Sequence, residues 1–166
     1  SWEENMKEKI LKPLGMNNTN LSTIDMEKSA DRSLAFTTKD SIIKAIPYRN
    51  IDAMGPAGSV NSCAKDMAKW LITWVNGGKY NGKEIIPSSY VSQAMTTQMA
   101  TGGGLPGTEN TDVHTSGYGL AWGISSYRGH YRVEHGGGID GFITSTGFFP
   151  SDSIGIFVVS NQGSPV

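Results

Sequence analysis

The sequence predicts an α+β domain in which helices lead and an antiparallel β meander follows. Three observations carry that prediction. Apolar residues recur at helical spacing from Ala64 to Val75, side chains alternate with a period of two from Gly117 onward, and turn signals punctuate that second half at short intervals. At 166 residues the chain has room for one domain rather than two.

Taken in order, the first element is a short helix. Ser1 and Glu4 have the S-x-x-E form of a capping box, and Trp2, Met6 and Ile10 share one helical face with Leu11 beside them. Pro13 is expected to halt that helix, and Gly15 permits the change of direction that turns Leu14 and Met16 inward. From Asn17 to Asn61, polar runs alternate with isolated apolar residues and end in Gly55-Pro56-Ala57-Gly58, which reads as mostly loop around one short helix. The strongest helix follows: Ala64, Met67, Ala68, Leu71, Ile72 and Val75 form its apolar stripe, with Ser62 as N-cap and Asn76-Gly77 as the stop. Asn81-Gly82 predicts a tight turn, and Pro87-Ser88-Ser89 starts a helix carrying Tyr90, Val91, Ala94 and Met95. Thr101 to Ser116, with three consecutive glycines, reads as a long surface loop that could border a cleft.

The meander begins at Gly117. Tyr118, Leu120, Trp122 and Ile124 alternate with Gly119, Ala121 and Gly123, which predicts a strand with one bulky face and one bare face awaiting a close neighbour that no segment of this sequence obviously provides. Arg128-Gly129 turns the chain into a strand where Tyr131, Val133 and His135 share a face, and Gly136-Gly137-Gly138 is expected to end it. Phe142 to Phe149 and Ile154 to Ser160 supply two more strands around Pro150-Ser151-Asp152-Ser153, the last apolar on both faces.

Composition narrows the functional classes. With 14 Lys+Arg against 15 Asp+Glu the formal charge is −1, so no basic field exists to draw in nucleic acid or an anionic membrane. No apolar stretch approaches the ~20 residues of a membrane helix, so no transmembrane segment is expected, and the N-terminus lacks a signal-peptide core. The lone Cys63 excludes an internal disulfide and is too little for a thiolate metal site. His130 and His135 are five apart on a strand pattern and face opposite sides, while His114 lies in the loop, so the histidines do not assemble a zinc site.

Two S-x-x-K matches, Ser41 to Lys44 and Ser62 to Lys65, have the spacing that puts a lysine base one helical turn from a serine nucleophile. Both read as coincidences in a chain with this many Ser and Lys, and Ser62 is already occupied as a helix cap. Tyr48-Arg49-Asn50 has the Y-x-N form but lies too near Lys44 in sequence to face a substrate from a separate wall. His135 is the stronger candidate: it runs into three glycines, which let a substrate approach the backbone N–H groups closely.

Five segments taken together resemble the C-terminal half of the serine β-lactamase and penicillin-binding-protein family, in the branch of class C β-lactamases, DD-peptidases, D-aminopeptidases and related esterases. They are Lys9 to Met16, Pro56 to Asp66 with its helix, Tyr118 to Gly123, His135-Gly136-Gly137 with Gly141-Phe142, and Pro150 to Asn161. The resemblance implies the C-terminal part of a β-lactamase/transpeptidase-like fold, so that residues 1–166 make a single partial domain. The nucleophilic serine, its lysine and the Y-x-N triplet would belong to an N-terminal part of the same fold outside this sequence.

By that resemblance His135, Gly137 and Gly138 are the catalytic-site residues carried here. His135-Gly136-Gly137 takes the place of K-T-G or H-x-G, and Gly138 would offer one N–H of the oxyanion hole. Histidine is only partly charged near its reference pKa of ~6.5, so a β-lactam carboxylate loses its best partner, and acyl-D-amino-acid or ester substrates are favoured. The expected function is therefore a serine hydrolase acting through an acyl-enzyme on a small-molecule or peptide substrate, namely acyl-D-amino-acid peptides, β-lactams or esters, the chain alone being inactive; the alternative is a non-catalytic peptide- or cell-wall-binding module. The resemblance brings no cofactor and no metal, and implies an extracytoplasmic location. Without the N-terminal part, the two-sided apolar strand Ile154 to Val159 is expected to leave sheet surface open and to favour self-association.

Overall fold

The structure, a computed structural model, describes residues 1–101, 107–109, 111–112 and 116–163. Its first helix begins as the capping box predicts. The Glu4 N–H donates to Ser1 Oγ at 3.3 Å while the Ser1 amino group meets Glu4 Oε2 at 2.8 Å. This helix, α1 (Trp2–Met6), does not stop at Pro13 as expected; it widens into a π turn (Lys7–Leu11) and resumes as α2 (Lys12–Leu14). A proline ring crowds the carbonyl four residues back. The π turn, in which the Lys12 N–H donates to the Lys7 carbonyl, shifts the register by one residue before the ring arrives. Gly15, at φ 62°, then closes the helix with the paired bonds of a Schellman motif: Gly15 N–H to the Lys12 carbonyl (3.0 Å) and Met16 N–H to the Leu11 carbonyl (2.9 Å).

The stretch expected to be mostly loop contains more order than that. It holds α3 (Thr23–Lys28), an antiparallel hairpin of β1 (Ala35–Lys39) and β2 (Ile42–Ile46), a 3-10 turn (Asp52–Met54) and α4 (Gly55–Gly58). The hairpin turn is Asp40-Ser41, both at positive φ (53° and 62°), the conformation a two-residue turn of the right hand requires.

α5 (Ala64–Val75) is the helix the spacing predicts, but its buried face differs from the expected stripe: Leu71 and Trp74 are buried, whereas Ala64, Ala68 and Ile72 are exposed. β3 (Lys79–Tyr80) and β4 (Lys83–Glu84) flank Asn81-Gly82, and α6 (Ser88–Ala94) follows. Next come β5 (Met99–Ala100), β6 (Ser116–Tyr118), β7 (Gly123–Tyr127), β8 (His130–Ile139), β9 (Phe142–Phe149) and β10 (Ile154–Ser160). They form one six-stranded antiparallel sheet in the order β10-β9-β8-β7-β6-β5.

Two strand expectations need correction. The alternation from Tyr118 to Ile124 is not one strand: β6 ends at Tyr118, the chain turns through Ala121 at φ 66°, the Gly119 N–H donates to the Trp122 carbonyl at 2.7 Å, and β7 returns antiparallel. The close neighbour of Gly119, which no segment obviously provides in the sequence, comes from this chain itself at the end of α6: a Cβ there would fall 2.0 Å from the Ala94 carbonyl oxygen. The glycine run does not end β8, which continues through Gly136, Gly137 and Gly138 to Ile139.

Backbone proximity divides the chain into two compact units. One comprises Ser1–Met67, Gly136–Ser145 and Phe157–Val166, with a core of Leu11, Leu14, Met16, Leu21, Ala35 and Ile51. Here the Pro56 to Asp66 segment acts as a clamp. Fully buried Asp66 accepts from the Asn18 N–H (2.8 Å) and the Thr19 hydroxyl (3.0 Å), Asn61 Nδ2 donates to Asn20 Oδ1 (2.9 Å), and the buried Ser59 hydroxyl lies 2.9 Å from the Leu21 carbonyl. Asp52 joins it at α3: the Ser22 hydroxyl (2.6 Å) and Thr23 N–H (2.7 Å) both donate to its carboxylate and hold its pKa below the ordinary value.

The sign of that shift gives a pH dependence. A lowered folded pKa contributes stability that is present above the ordinary aspartate pKa of ~3.9 and lost as pH falls through the folded value. Thermal unfolding of Asp52→Asn, followed from pH 6 downward, is expected to fall less steeply below about pH 4 than the parent's. Parallel curves would mean that Asp52 contributes nothing there.

The second unit comprises Ala68–His135 and Thr146–Ile156. Its centre is aromatic. Trp122 packs edge-on to Trp74 (centroids 5.2 Å, 74°) and to Phe148 (5.0 Å, 87°), with Ile86, Val91, Ala94, Ile124 and Val133 buried as well.

Candidate functional site

β8 brings the candidate residues to one exposed strand. Its register with β7 runs from Tyr127↔His130 to Gly123↔Glu134 and ends there, while β8 itself goes on to Ile139. His135, Gly136, Gly137 and Gly138 therefore run past the end of β7, and all four are exposed. A strand that outruns its neighbour presents backbone N–H and C=O groups to anything that can lie alongside as a further strand.

His135 is held by two aromatic residues on the β6–β7 turn. Its Nε2 lies 3.0 Å from Tyr118 Oη, the rings 6.2 Å apart at 61°, and Trp122 meets the imidazole nearly perpendicularly at 6.5 Å. Trp122 is itself locked by Trp74 and Phe148, so a buried aromatic stack supports an exposed histidine. Tyr118 and Trp122 were both visible in the sequence as members of the Tyr118 to Gly123 segment, but nothing there tied them to His135. That relation is cross-strand, and the turn at Gly119 to Trp122 creates it.

The glycines differ from one another. A Cβ on Gly137 would fall 2.8 Å from Thr144 Oγ1, so a side chain at 137 collides with β9; a Cβ on Gly138 meets nothing within 4 Å. The backbone at Gly138 is thus open to approach, which is what an oxyanion-hole donor needs.

The remaining candidates are engaged elsewhere. Ser41 sits in the β1–β2 turn and Lys44 on β2 opposite Thr37, so this pair shares no helical turn. Ser62 precedes α5 with its hydroxyl 2.8 Å from Thr19 Oγ1. In the Y-x-N triplet, the Tyr48 hydroxyl donates to the Ser33 carbonyl (2.8 Å), Arg49 pairs with Asp140 (2.8 Å) and Asn50 Oδ1 accepts from the Asp52 N–H (3.0 Å). His130 meets the Asp152 carboxylate at 2.9 Å. His114 lies outside the described residues, as does much of the loop from Thr101 to Ser116. Among the described residues no cluster of His, Cys, Asp and Glu could hold a metal ion, and no helix is long and apolar enough to cross a membrane.

Helices leading into a six-stranded antiparallel sheet are the arrangement of the β-lactamase/transpeptidase-like fold. The Beta-lactamase family model matches residues 1–166, and the chain belongs to that family. It is 28% identical over 158 residues to unguisins hydrolase ungD' of Aspergillus campestris (strain IBT 28561), a match covering 93% of this chain and 28% of that protein. Unguisins hydrolase ungD of Aspergillus violaceofuscus (strain CBS 115571) is 26% identical over 166 residues, covering 92% and 29%. Among solved structures, the octameric penicillin-binding protein homologue from Pyrococcus abyssi superposes with a TM-score of 0.80 at 25% identity, over 99% of this chain and 35% of that one. The D-stereospecific amidohydrolase from Streptomyces sp. shares the fold, with a TM-score of 0.70 at 20% identity over 98% and 44%. The chain spans less than a third of the length of those two fungal hydrolases.

Proposed function

We propose that this chain is the C-terminal part of a serine hydrolase that works through an acyl-enzyme on acyl-D-amino-acid peptides, related amides or esters. The observation that carries the reading is the strand step at β8: His135 and the Gly138 backbone lie together on the stretch that outruns β7. In this reading the substrate backbone lies along that step as an added strand, with His135 beside its reacting end. A serine outside residues 1–166 attacks the acyl carbonyl, and the Gly138 N–H donates to the oxygen as it gains negative charge. The leaving amine or alcohol departs with a proton, and water then releases the acid. Amides are favoured because two of the similar proteins are, by name, a D-stereospecific amidohydrolase and a D-amino acid amidase.

The test is intact-protein mass spectrometry after incubation with a penicillin or an activated ester. A longer protein that includes the N-terminal part of the fold is expected to gain one acyl group per chain, and residues 1–166 alone none. A stoichiometric adduct on Ser41 or Ser62 of the short chain would overturn the assignment of the nucleophile. No adduct on either, together with retained peptide binding, would favour the non-catalytic binding module.

The reading also supplies a partner for β10. This strand stands at the sheet edge with Ile154, Ile156, Val158 and Val159 each roughly half exposed. Covering about 500 Å² of such surface is worth on the order of 10 kcal/mol at ~25 cal/mol per Å², comparable with the whole stability of a small domain. An N-terminal part of the same fold is the proposed cover; without it the chain is expected to self-associate through this edge. Sedimentation at micromolar concentration decides the point, and a stable monomer that binds no hydrophobic dye would contradict it.

A further inference from the structure

We infer that Tyr118 is a positioning residue that holds His135 in its Nδ1–H tautomer, so that the imidazole faces substrate as a neutral N–H donor. The inference deepens the proposed function and rests on His135 lying beside the substrate. Its geometric basis is the 3.0 Å separation of Tyr118 Oη and His135 Nε2. Two arrangements fit that distance: the phenol donates to a bare Nε2, or an Nε2–H donates to the phenol oxygen. Phenol O–H is a stronger donor than imidazole N–H, and the unprotonated ring nitrogen is a stronger acceptor than the phenol oxygen. The first arrangement therefore prevails while the pair is neutral, and it places the ring proton on Nδ1.

The ring also lies against a fixed neighbour. Trp122 stands nearly perpendicular to it at 6.5 Å and is itself packed between Trp74 and Phe148. Tyr118 is fixed at its own root, because β6 pairs Tyr118 with Gly123 on one side and with Met99 on the other. Among the described residues no protein group bonds Nδ1, so Nδ1–H is the face offered outward. A neutral N–H donor matches a carbonyl, amide or ester oxygen, whereas a carboxylate is matched best by a full cation. The Tyr118–His135 pair accordingly selects acyl substrates whose contacting group is an uncharged oxygen.

Long-range proton–nitrogen NMR on residues 1–166 at about pH 8, above the ordinary histidine range, reads the tautomer without requiring turnover. His135, assigned by the signal lost in His135→Asn, is expected to show the Nδ1–H pattern. Tyr118→Phe should return it to the Nε2–H pattern that unrestrained histidine side chains prefer. His130, held by Asp152, serves as the internal reference and should not change. If the variant also moves His130, incorporation of 3-fluorotyrosine into the parent chain replaces it: the altered acidity of the phenol should displace the His135 Nε2 signal from its position in the parent. An Nε2–H pattern in the parent, or a His135 signal indifferent to both the variant and the fluorinated phenol, overturns the inference. Failure of the underlying reading shows up separately, as unchanged turnover of His135→Ala in the longer protein.

Discussion

Gly119→Val is expected to destabilise the protein by at least about 3 kcal/mol. At this position a Cβ would lie 2.0 Å from the Ala94 carbonyl oxygen and 3.0 Å from that of Thr96, both backbone atoms that no rotamer change can move aside. The Ala94 carbonyl is not idle, because it accepts the Leu120 N–H at 3.0 Å and so ties the end of α6 to the β6–β7 turn. Relieving the clash means breaking that tie and displacing Tyr118 and Trp122, the two residues that hold His135. For a chain of this size the loss corresponds to a fall in Tm of about 6–12 °C. Gly107→Ala is the control, since a Cβ there meets nothing within 4 Å. Equal Tm values for the two variants would show that the α6 end yields freely and that this turn is not the rigid support described above.

That support explains which parts of the molecule were legible beforehand. Local signals were reliable where the physics is local: the Ser1 to Glu4 cap, the extent of α5, the Asn81-Gly82 and Arg128-Gly129 turns, and the bounds of β9 and β10 all follow from residues close in sequence. The β1–β2 hairpin escaped because its turn uses Asp40 and Ser41 at positive φ without a glycine, and because Ile42 and Ile43 are exposed, which erases the alternation. Tyr118 to Ile124 misled in the opposite way. Its period of two is real on each side of Gly119 to Trp122 but belongs to two strands, with Ala121 in the left-handed region between them. In the candidate site, His135 and its glycines could be read from sequence because they are contiguous. Their supports could not, since a tyrosine 17 residues earlier becomes a neighbour only after the sheet forms.

His135→Ala, made in the longer protein, is expected to lower kcat/KM on the order of a hundredfold while leaving Tm almost unchanged. The stability half of the prediction comes from exposure. His135 is on the outside of the sheet, its imidazole bonds a partly exposed phenol, and its ring lies against Trp122 without filling the core beneath. Truncating such a residue costs within about 1 kcal/mol. The activity half comes from position, because β7 ends at Gly123↔Glu134 and His135 is the first side chain on the step where a substrate strand would lie. Removing a donor that strengthens its bond as charge develops lowers turnover as well as binding, so kcat should fall along with kcat/KM. Phe148→Ala supplies the contrast: fully buried against Trp122 and Trp74, it should cost about 3–5 kcal/mol and reduce activity only through lost folded protein. A His135→Ala variant that loses several degrees in Tm yet retains full turnover at a permissive temperature would make His135 a structural residue at a strand end, and the step on β8 would then lose its claim to be the substrate edge.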